Sequence, residues 1–193
     1  KELNQKWKYD AFLSFRGEDT RNNFVSHLHK RLEDKGVNVF IDDNKLEKGK
    51  TISTELFKAI EESKIAIIVF SENYASSKWC LEELTKIMEC VEKKGQEAVP
   101  IFYNVDPSDV RKQSNSVARA MARHEVDSDL GKVQRWKDAL CKAGNIAGWD
   151  VSKTANGNEA ECIDRIINEK FQNLHHTVSA TEKYLVGIES RTS

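Results

Sequence analysis

The sequence is poor in the residues that mark fibrous, low-complexity and disulfide-rich chains. Two prolines and nine glycines among 193 residues exclude a collagen-like or low-complexity composition. The four cysteines form no Cys-x-x-Cys pair and have no histidines nearby at zinc-finger spacing. No Asn-x-Ser/Thr sequon occurs either. We therefore expect reduced thiols and a cytoplasmic location, with the nucleus as a second compartment to consider.

Long hydrophobic runs and an excess of either charge are also missing. No apolar run approaches the roughly 20 residues that span a bilayer, and the first residues are polar where a secretory signal would be apolar. We expect no membrane association. Lys and Arg number 30 and Asp and Glu 31, so the net charge is −1. Nucleic acid is not an expected partner, because binding through phosphates needs a basic excess.

The chain does contain an alternation of short apolar runs and amphipathic stretches, which is typical of an α/β fold with a parallel sheet. Strands are predicted over 9–15, 37–41, 65–70, 98–105 and 146–151. Helices are predicted around 24–36, from Thr51 or Ser53 onward, and over 77–93, 109–124, 131–145 and 159–174. This order predicts a flavodoxin-like, three-layer fold with a five-stranded parallel sheet and helices on both faces. We expect an N-terminal lead over 1–8, a domain over 9–174 and a linker over 175–193.

Ligands of such a sheet bind at the carboxyl ends of the strands, so the loops there are searched first. They contain no G-x-G-x-x-G, no complete P-loop and no G-x-S-x-G motif. The central strand ends in Phe70-Ser71-Glu72-Asn73, where a response regulator would have a phosphoacceptor aspartate. These loops therefore support neither a dinucleotide fingerprint nor a hydrolase serine.

The helix that follows Ser77 carries the candidate catalytic group. On a helical wheel centred on Leu84, the apolar residues cluster within roughly 60°, and Glu83 lies about 100° away at the border of that stripe. Trp79 lies one turn earlier on the same side, whereas Glu82 falls on the opposite face, in water. A carboxylate at a cleft border beside an aromatic ring can be catalytic. The alternative from the residues alone is a salt bridge between Glu83 and Lys86.

Four motifs occur in order along the chain: YDAFLSFRGEDTR (9–21), KAIEESKIAIIVFSENYASSKWCLEEL (58–84), PIFYNVDPSDVRKQ (100–113) and VQRWKDAL (133–140). With them the chain resembles a plant Toll/interleukin-1 receptor (TIR) domain, from a TIR-type nucleotide-binding leucine-rich-repeat disease resistance protein. The segment YLVGIESR (184–191) is similar to the stretch that leads into the nucleotide-binding domain. The resemblance thus implies that 175–193 is a linker toward a domain absent from this chain.

The resemblance implies an NAD⁺ nucleosidase, or glycohydrolase, that is activated by self-association and triggers defence and cell death. Its substrate would be NAD⁺, with NADP⁺ as a second candidate, and it would need no cofactor and no metal. The family's catalytic glutamate is the last acidic residue of W-C-L-x-E-L, which is Glu83 here. Other TIR domains would be partners, and lipase-like immune signalling proteins would respond to the nucleotide products. The alternatives are a non-catalytic TIR adaptor that signals by homotypic contacts and an ordinary small-ligand binder of the same fold.

The resemblance also implies which residues line the substrate site: Phe15, Arg16, Gly17, Glu18, Asp19, Thr20, Arg21, Asp42, Ile52, Ser77 and Trp79. For Asp19 and Arg21 the alternative is a simple salt bridge within the loop. Ser26 and His27 match the family's Ser-His pair, which contacts its counterpart on another copy together with the last helix. The stretch 114–125 lacks the glycine and aromatic residues that the family often has there, which affects the expected oligomer geometry more than the cleavage site.

Overall fold

A five-stranded parallel sheet forms the centre of the protein. The computed structural model describes residues 7–21, 23–42 and 54–172. The strands are β1 (Tyr9–Phe15), β2 (Val39–Ile41), β3 (Ser63–Phe70), β4 (Glu97–Phe102) and β5 (Trp149–Asp150). Their spatial order is β2-β1-β3-β4-β5, and every neighbouring pair is parallel. This order is that of flavodoxin-like folds, so the predicted fold class is confirmed.

Helices connect these strands on both faces of the sheet. They are α1 (Gly17–Thr20), α2 (Phe24–Asp34), α3 (Thr54–Glu61), α4 (Lys78–Lys94), α5 (Pro107–Lys112), α6 (Ser116–Asp127), α7 (Leu130–Gly144) and α8 (159–172). Short 3₁₀ turns lie at Tyr74–Ser76 and Thr154–Gly157. Ser77 caps α4 as predicted, because its side chain accepts a hydrogen bond from the Cys80 amide at 3.2 Å.

The hydrophobic core has two halves, one on each face of the sheet. Successive strand residues point to opposite faces, so Phe12 packs with α3, α4 and α7, whereas Leu13 and Phe15 pack with α2 and α8. The central strand β3 alternates in the same way, and its apolar residues are buried on both sides. This arrangement makes the three layers, and it places α4 over the face of β1 that carries Phe12.

Several element boundaries differ from the predictions. Strand β4 ends at Phe102 rather than at Val105, and Asn104 has a positive φ of 55° that extended strands do not adopt. The helical stretch predicted over 109–124 is two helices, because Gln113 and Asn115 both have φ of 54° and interrupt it. The loop after β1 contains the unpredicted short helix α1.

Some predicted features lie outside the described residues. They are most of the lead over 1–8, the start of α3, Ile52 and the linker over 175–193. Within the described ranges, no helix combines the length and the hydrophobicity that are needed to cross a membrane.

Candidate active site at the carboxyl ends of β1 and β3

Glu83 is buried between α4 and the sheet, with 0% of its surface exposed. The Ser14 hydroxyl donates to Glu83 Oε1 at 2.7 Å, and the Trp79 indole Nε1 donates to Oε2 at 3.1 Å. A carboxylate taken out of water needs such donors, because burying it without them is costly. The predicted opening of Glu83 to a cleft is therefore wrong for the single chain, since strand β1 covers this side of α4.

Local structure brings these three side chains together. Ser14 lies two residues after Phe12 on β1, so both point to the face that α4 covers. Trp79 and Glu83 are four residues apart and meet on one side of the helix. Because Ser77 caps α4 next to Trp79, the first turn of the helix holds the indole over the carboxylate.

Tyr74 extends this site into the core. Its hydroxyl lies 2.8 Å from Ser14 Oγ and donates to the Cys80 carbonyl oxygen at 3.2 Å. Burial, followed by the charges of Cys80 and Glu83, raises the pKa of Tyr74 well above its ordinary value. The side chain is therefore a neutral phenol at physiological pH. Sequence reasoning missed both Ser14 and Tyr74, although a serine among the apolar residues of β1 was a visible signal.

Asp19 joins the loop after β1 to the loop after β3. Its carboxylate accepts from the Ser71 hydroxyl at 2.6 Å, from the Asn73 amide at 2.9 Å and from Asn73 Nδ2 at 3.2 Å. Among the described residues it forms no ion pair with Arg21, so the alternative of a salt bridge within the loop is wrong. These bonds hold Asp19 at the same end of the sheet as Ser77 and Trp79.

Two other side chains of the predicted substrate loop lie on the face of the sheet opposite to Glu83. The Phe15 ring is buried among α2 and α8, and the Arg21 guanidinium lies 5.7 Å from its centroid. A side chain at Gly17 would meet that guanidinium at 3.2 Å, so the arginine packs directly on this glycine. Thr20 is buried and donates to the Arg16 carbonyl oxygen at 3.0 Å. The side chains of Phe15 and Arg21 therefore do not lie on the Glu83 side of the sheet.

The other predicted positions are more scattered. Arg16 forms an ion pair with the exposed Glu18 at 3.1 Å. Asp42 is buried directly after β2, at the edge of the sheet. Ser26 and His27 are both exposed on α2, which an ion pair between Arg31 and Asp164 joins to α8. A second copy of the chain can therefore reach both Ser26 and His27, as the predicted self-association requires.

The ion pairs around α4 differ from the predicted ones. Lys86 pairs with Glu61 of α3 at 2.6 Å and not with Glu83, so the predicted alternative for Glu83 is wrong. The hydrogen bond between these two side chains favours the charged form of each. It therefore lowers the pKa of Glu61 and raises the pKa of Lys86. Glu82 is only half-exposed and pairs with Lys132 of α7 at 3.1 Å, so it does not face open water as predicted.

A separate surface pocket of about 310 Å³ lies beside α2 and the end of β2. It is lined by Arg21, Ile41 and residues of α2, and it does not include Glu83. Within the described ranges, no group of three or more His, Cys, Asp or Glu side chains is arranged to hold a metal ion.

The sheet order and the buried carboxylate define a flavodoxin-like α/β domain whose polar site lies at the carboxyl ends of the central strands. The family model of the TIR domain matches residues 8–188. The chain therefore belongs to the TIR domain family.

Similar proteins are plant disease resistance proteins. TMV resistance protein N of Nicotiana glutinosa is 49% identical over 187 residues, which are 96% of this chain and 16% of that protein. Disease resistance protein RPV1 of Vitis rotundifolia is 48% identical over 182 residues, which are 94% of this chain and 13% of that protein. The chain thus spans only a small part of the length of these relatives.

A solved structure supports the same likeness. The TIR domains of the activated Roq1 resistosome, which directly recognises the pathogen effector XopQ, are 52% identical to this chain. The TM-score is 0.79, and the match covers 85% of this chain and 100% of that one.

Proposed function

We propose that this chain is the NAD⁺-cleaving TIR domain of a plant intracellular disease resistance protein, with Glu83 as its catalytic residue. The observation that carries the proposal is the buried Glu83 carboxylate, which two neutral donors hold in one orientation at the carboxyl ends of β1 and β3. Identity of 48–52% to plant disease resistance proteins and to a resistosome TIR domain supports the biological context.

The reaction needs only one carboxylate. When the bond between ribose and nicotinamide breaks, its electron pair moves onto the positively charged ring, and nicotinamide leaves as a neutral molecule. No general acid is required for that step. The ribose becomes an oxocarbenium-like cation, as in glycoside hydrolysis, and a nearby anion stabilises it. Water then forms the new carbon–oxygen bond and loses a proton, which gives ADP-ribose.

The neighbours of Glu83 suit this role. Ser14 holds Oε1 from the strand side, and the half-buried Trp79 covers Oε2 from the solvent side. A ribose hydroxyl that replaces the indole N–H would meet an oriented carboxylate next to an aromatic ring. Asp19 and Arg16 lie in the adjoining loop, where the ribose and phosphates of the substrate would be bound.

Self-association would switch the enzyme on. Glu83 has no exposed surface in the single chain, so substrate can reach it only after Trp79 or a neighbouring side chain moves. Contact with a second copy through Ser26, His27 and α8 would supply the free energy for that opening. We further propose that the protein acts in the cytoplasm, or also in the nucleus. It needs no cofactor, accepts NADP⁺ as a second substrate, and signals to lipase-like immune proteins through its nucleotide products.

The test is nicotinamide release from NAD⁺ at high protein concentration with a crowding agent. Wild type is expected to release nicotinamide, and Glu83→Ala is expected to lose this activity while keeping the fold. Glu82→Gln is the matched control, because it changes the neighbouring glutamate, whose partner is Lys132 on α7. In the same assay, His27→Ala is expected to weaken self-association and lower activity with it.

The second candidate is a non-catalytic adaptor that signals by contacts between TIR domains. The complete burial of Glu83 in the single chain favours it. Absence of nicotinamide release from wild type, in a sample shown to be oligomeric, would exclude the enzyme and support the adaptor. Equal activity of wild type and Glu83→Ala would instead exclude Glu83 as the catalytic residue.

A further inference from the structure

The surface pocket beside α2 has no part in the proposed cleavage of NAD⁺. Its volume of about 310 Å³ lies at the lower end of the range of small-molecule sites. Val25 and Ile41 line it, and both pack in the half of the core between the sheet and α2. Glu83 lies on α4, on the other side of the sheet. A ligand of this pocket would therefore be bound apart from the candidate active site.

Arg21 contributes to this pocket a positive charge that the described part of the chain does not neutralise. The residue is half-buried, and its Nη2 is buried without a hydrogen-bond partner in that part. The guanidinium packs on Gly17 and lies 5.7 Å from the centroid of the Phe15 ring, and neither contact supplies a negative charge. A partly buried cation without a counter-charge is costly, so an anion in the pocket would stabilise it.

The remaining charges of the pocket lie along one side of α2. Lys30 is exposed and, in residues 7–21, 23–42 and 54–172, forms no ion pair. Glu33 is already engaged, because its Oε1 lies 3.1 Å from His29 Nε2. Two cations and one carboxylate therefore leave a net charge of +1 on the pocket when His29 is neutral. This balance favours an anionic ligand.

We propose that this pocket is a binding site for a phosphate group, separate from the candidate active site. Arginine, with its planar fork of donors, and lysine, as a point charge, are the side chains that hold phosphate oxygens in proteins. A phosphate monoester carries about 1.5 to 2 negative charges near neutral pH, so it matches the two cations better than a carboxylate does. The Ser26 hydroxyl can donate a further hydrogen bond, and Val25 and Ile41 offer apolar contact to an organic part of the ligand.

Nuclear magnetic resonance of the isotope-labelled chain measures this binding without any enzyme activity. Phenyl phosphate, inorganic phosphate and benzoate are titrated separately at constant ionic strength, with sodium chloride as the blank. The protein is kept dilute, because Ser26 also belongs to the predicted self-association pair. We expect the amides of Ser26, Lys30 and Ile41 to shift with a Kd of about 1 mM for phenyl phosphate, and benzoate to bind about tenfold more weakly. Tighter binding of phenyl phosphate than of inorganic phosphate identifies an organic phosphate as the ligand, and equal binding identifies free phosphate.

Variants of the charged residues test the site in both directions. Arg21→Gln is expected to weaken binding of phenyl phosphate about tenfold, and Lys30→Met, at an exposed position, about three- to fivefold. Glu33→Gln is expected to strengthen binding about threefold, because it removes the one negative charge that repels the ligand. Lys64→Met is the matched control, since Lys64 is an exposed lysine near the start of β3, at the opposite end of the sheet from Ile41.

Several results would overturn the phosphate site. They are equal affinities of Lys30→Met and Lys64→Met, no amide shift at about 10 mM phosphate, and binding of benzoate as tight as that of phenyl phosphate. If Arg21→Gln does not fold, the exposed Lys30 and Glu33 variants decide the matter. Glu83→Ala is expected to bind phenyl phosphate as tightly as wild type. A chain that binds phosphate but releases no nicotinamide would therefore refute the proposed function and leave the phosphate site standing.

Discussion

Gln96 joins the end of α3 to the start of β3 through its side-chain amide, and replacing it has a cost that can be worked out. The residue is 2% exposed, and its Nε2 donates to the carbonyl oxygens of Ile60 at 2.7 Å and Ser63 at 2.8 Å. Gln96→Leu leaves both carbonyl oxygens buried without this donor, at about 1–3 kcal/mol each.

One gain offsets part of that loss. In the part of the chain that the structure describes, Gln96 Oε1 is buried without a hydrogen-bond partner, and leucine removes this unsatisfied acceptor. The net destabilisation is therefore about 2 kcal/mol. For a chain of this length, that corresponds to a fall in Tm of about 4–8 °C.

Urea and thermal unfolding followed by circular dichroism would measure this change. Gln134→Leu is the control, because Gln134 is exposed and bonds only to the exposed Asp138 in the described structure, so its Tm is expected to change little. Gln96→Glu is expected to be less destabilising at pH 4 than at pH 8, since only a protonated carboxyl can donate to a carbonyl oxygen. A Gln96→Leu variant within about 0.5 kcal/mol of wild type would refute the reasoning.

Two further predictions concern packing and charge. Gly144→Ala is expected to destabilise by about 1–3 kcal/mol, because a Cβ there would lie 2.7 Å from Arg111 Cα on α5. In Gly131→Ala the nearest atom is an oxygen of the Asp129 side chain at 3.0 Å, which accepts a hydrogen bond from the Lys132 amide. A side chain can give way at lower cost than the α5 backbone, so equal unfolding free energies of the two variants would contradict this expectation. Lys86→Met is expected to cost about 0.5 kcal/mol at pH 7. The ion pair stabilises the fold only while Glu61 is ionised, and the pKa of Glu61 in the folded protein lies below its ordinary value of 4.5. The cost should therefore be present above pH 4.5 and disappear as the pH falls through that lowered pKa. A loss that is undiminished at pH 3 in urea unfolding would exclude this ion pair as its cause.

The hydrogen bonds that hold Glu83 in its buried position bear on the proposed regulation by self-association. Two donors and the hydroxyls behind them satisfy the Glu83 carboxylate while the chain is alone. Opening the site would break at least the bond from Trp79, which is a bond to a charged group worth about 1.5–3 kcal/mol. Self-association could supply a free energy of that size, so the same contacts that stabilise the buried glutamate would keep a single chain inactive.

Much of the fold could be predicted because its signals are local. Alternation along β1, helical periodicity along α4 and the cap at Ser77 each depend on residues within one or two turns of chain. The order of the elements then limits the sheet to few topologies. The split between α5 and α6 was missed because Gln113 and Asn115 adopt positive φ, which neither residue type demands.

The candidate site was predictable only in part. Glu83 and Trp79 lie four residues apart on one helix, so the sequence alone places them on one side. The remaining partners come from distant segments: Ser14 is 69 residues from Glu83 in the chain, and Tyr74 is 60 residues from Ser14. Phe15 shows that neighbours in the sequence can be separated in the fold. Ser14 bonds Glu83, whereas strand alternation turns the next ring, that of Phe15, toward α2 and α8.

By itself, therefore, the sequence determined the class of fold, the order of the strands along the chain and the helix that carries the glutamate. These features follow from residue periodicity and from caps, whose range is a few residues. Only the tertiary structure decided that Glu83 is buried, that Lys86 pairs with Glu61, and that Ser14 and Tyr74 support the carboxylate. Side-chain hydrogen bonds and ion pairs form over about 3 Å, and separate elements reach that distance only when the whole core packs.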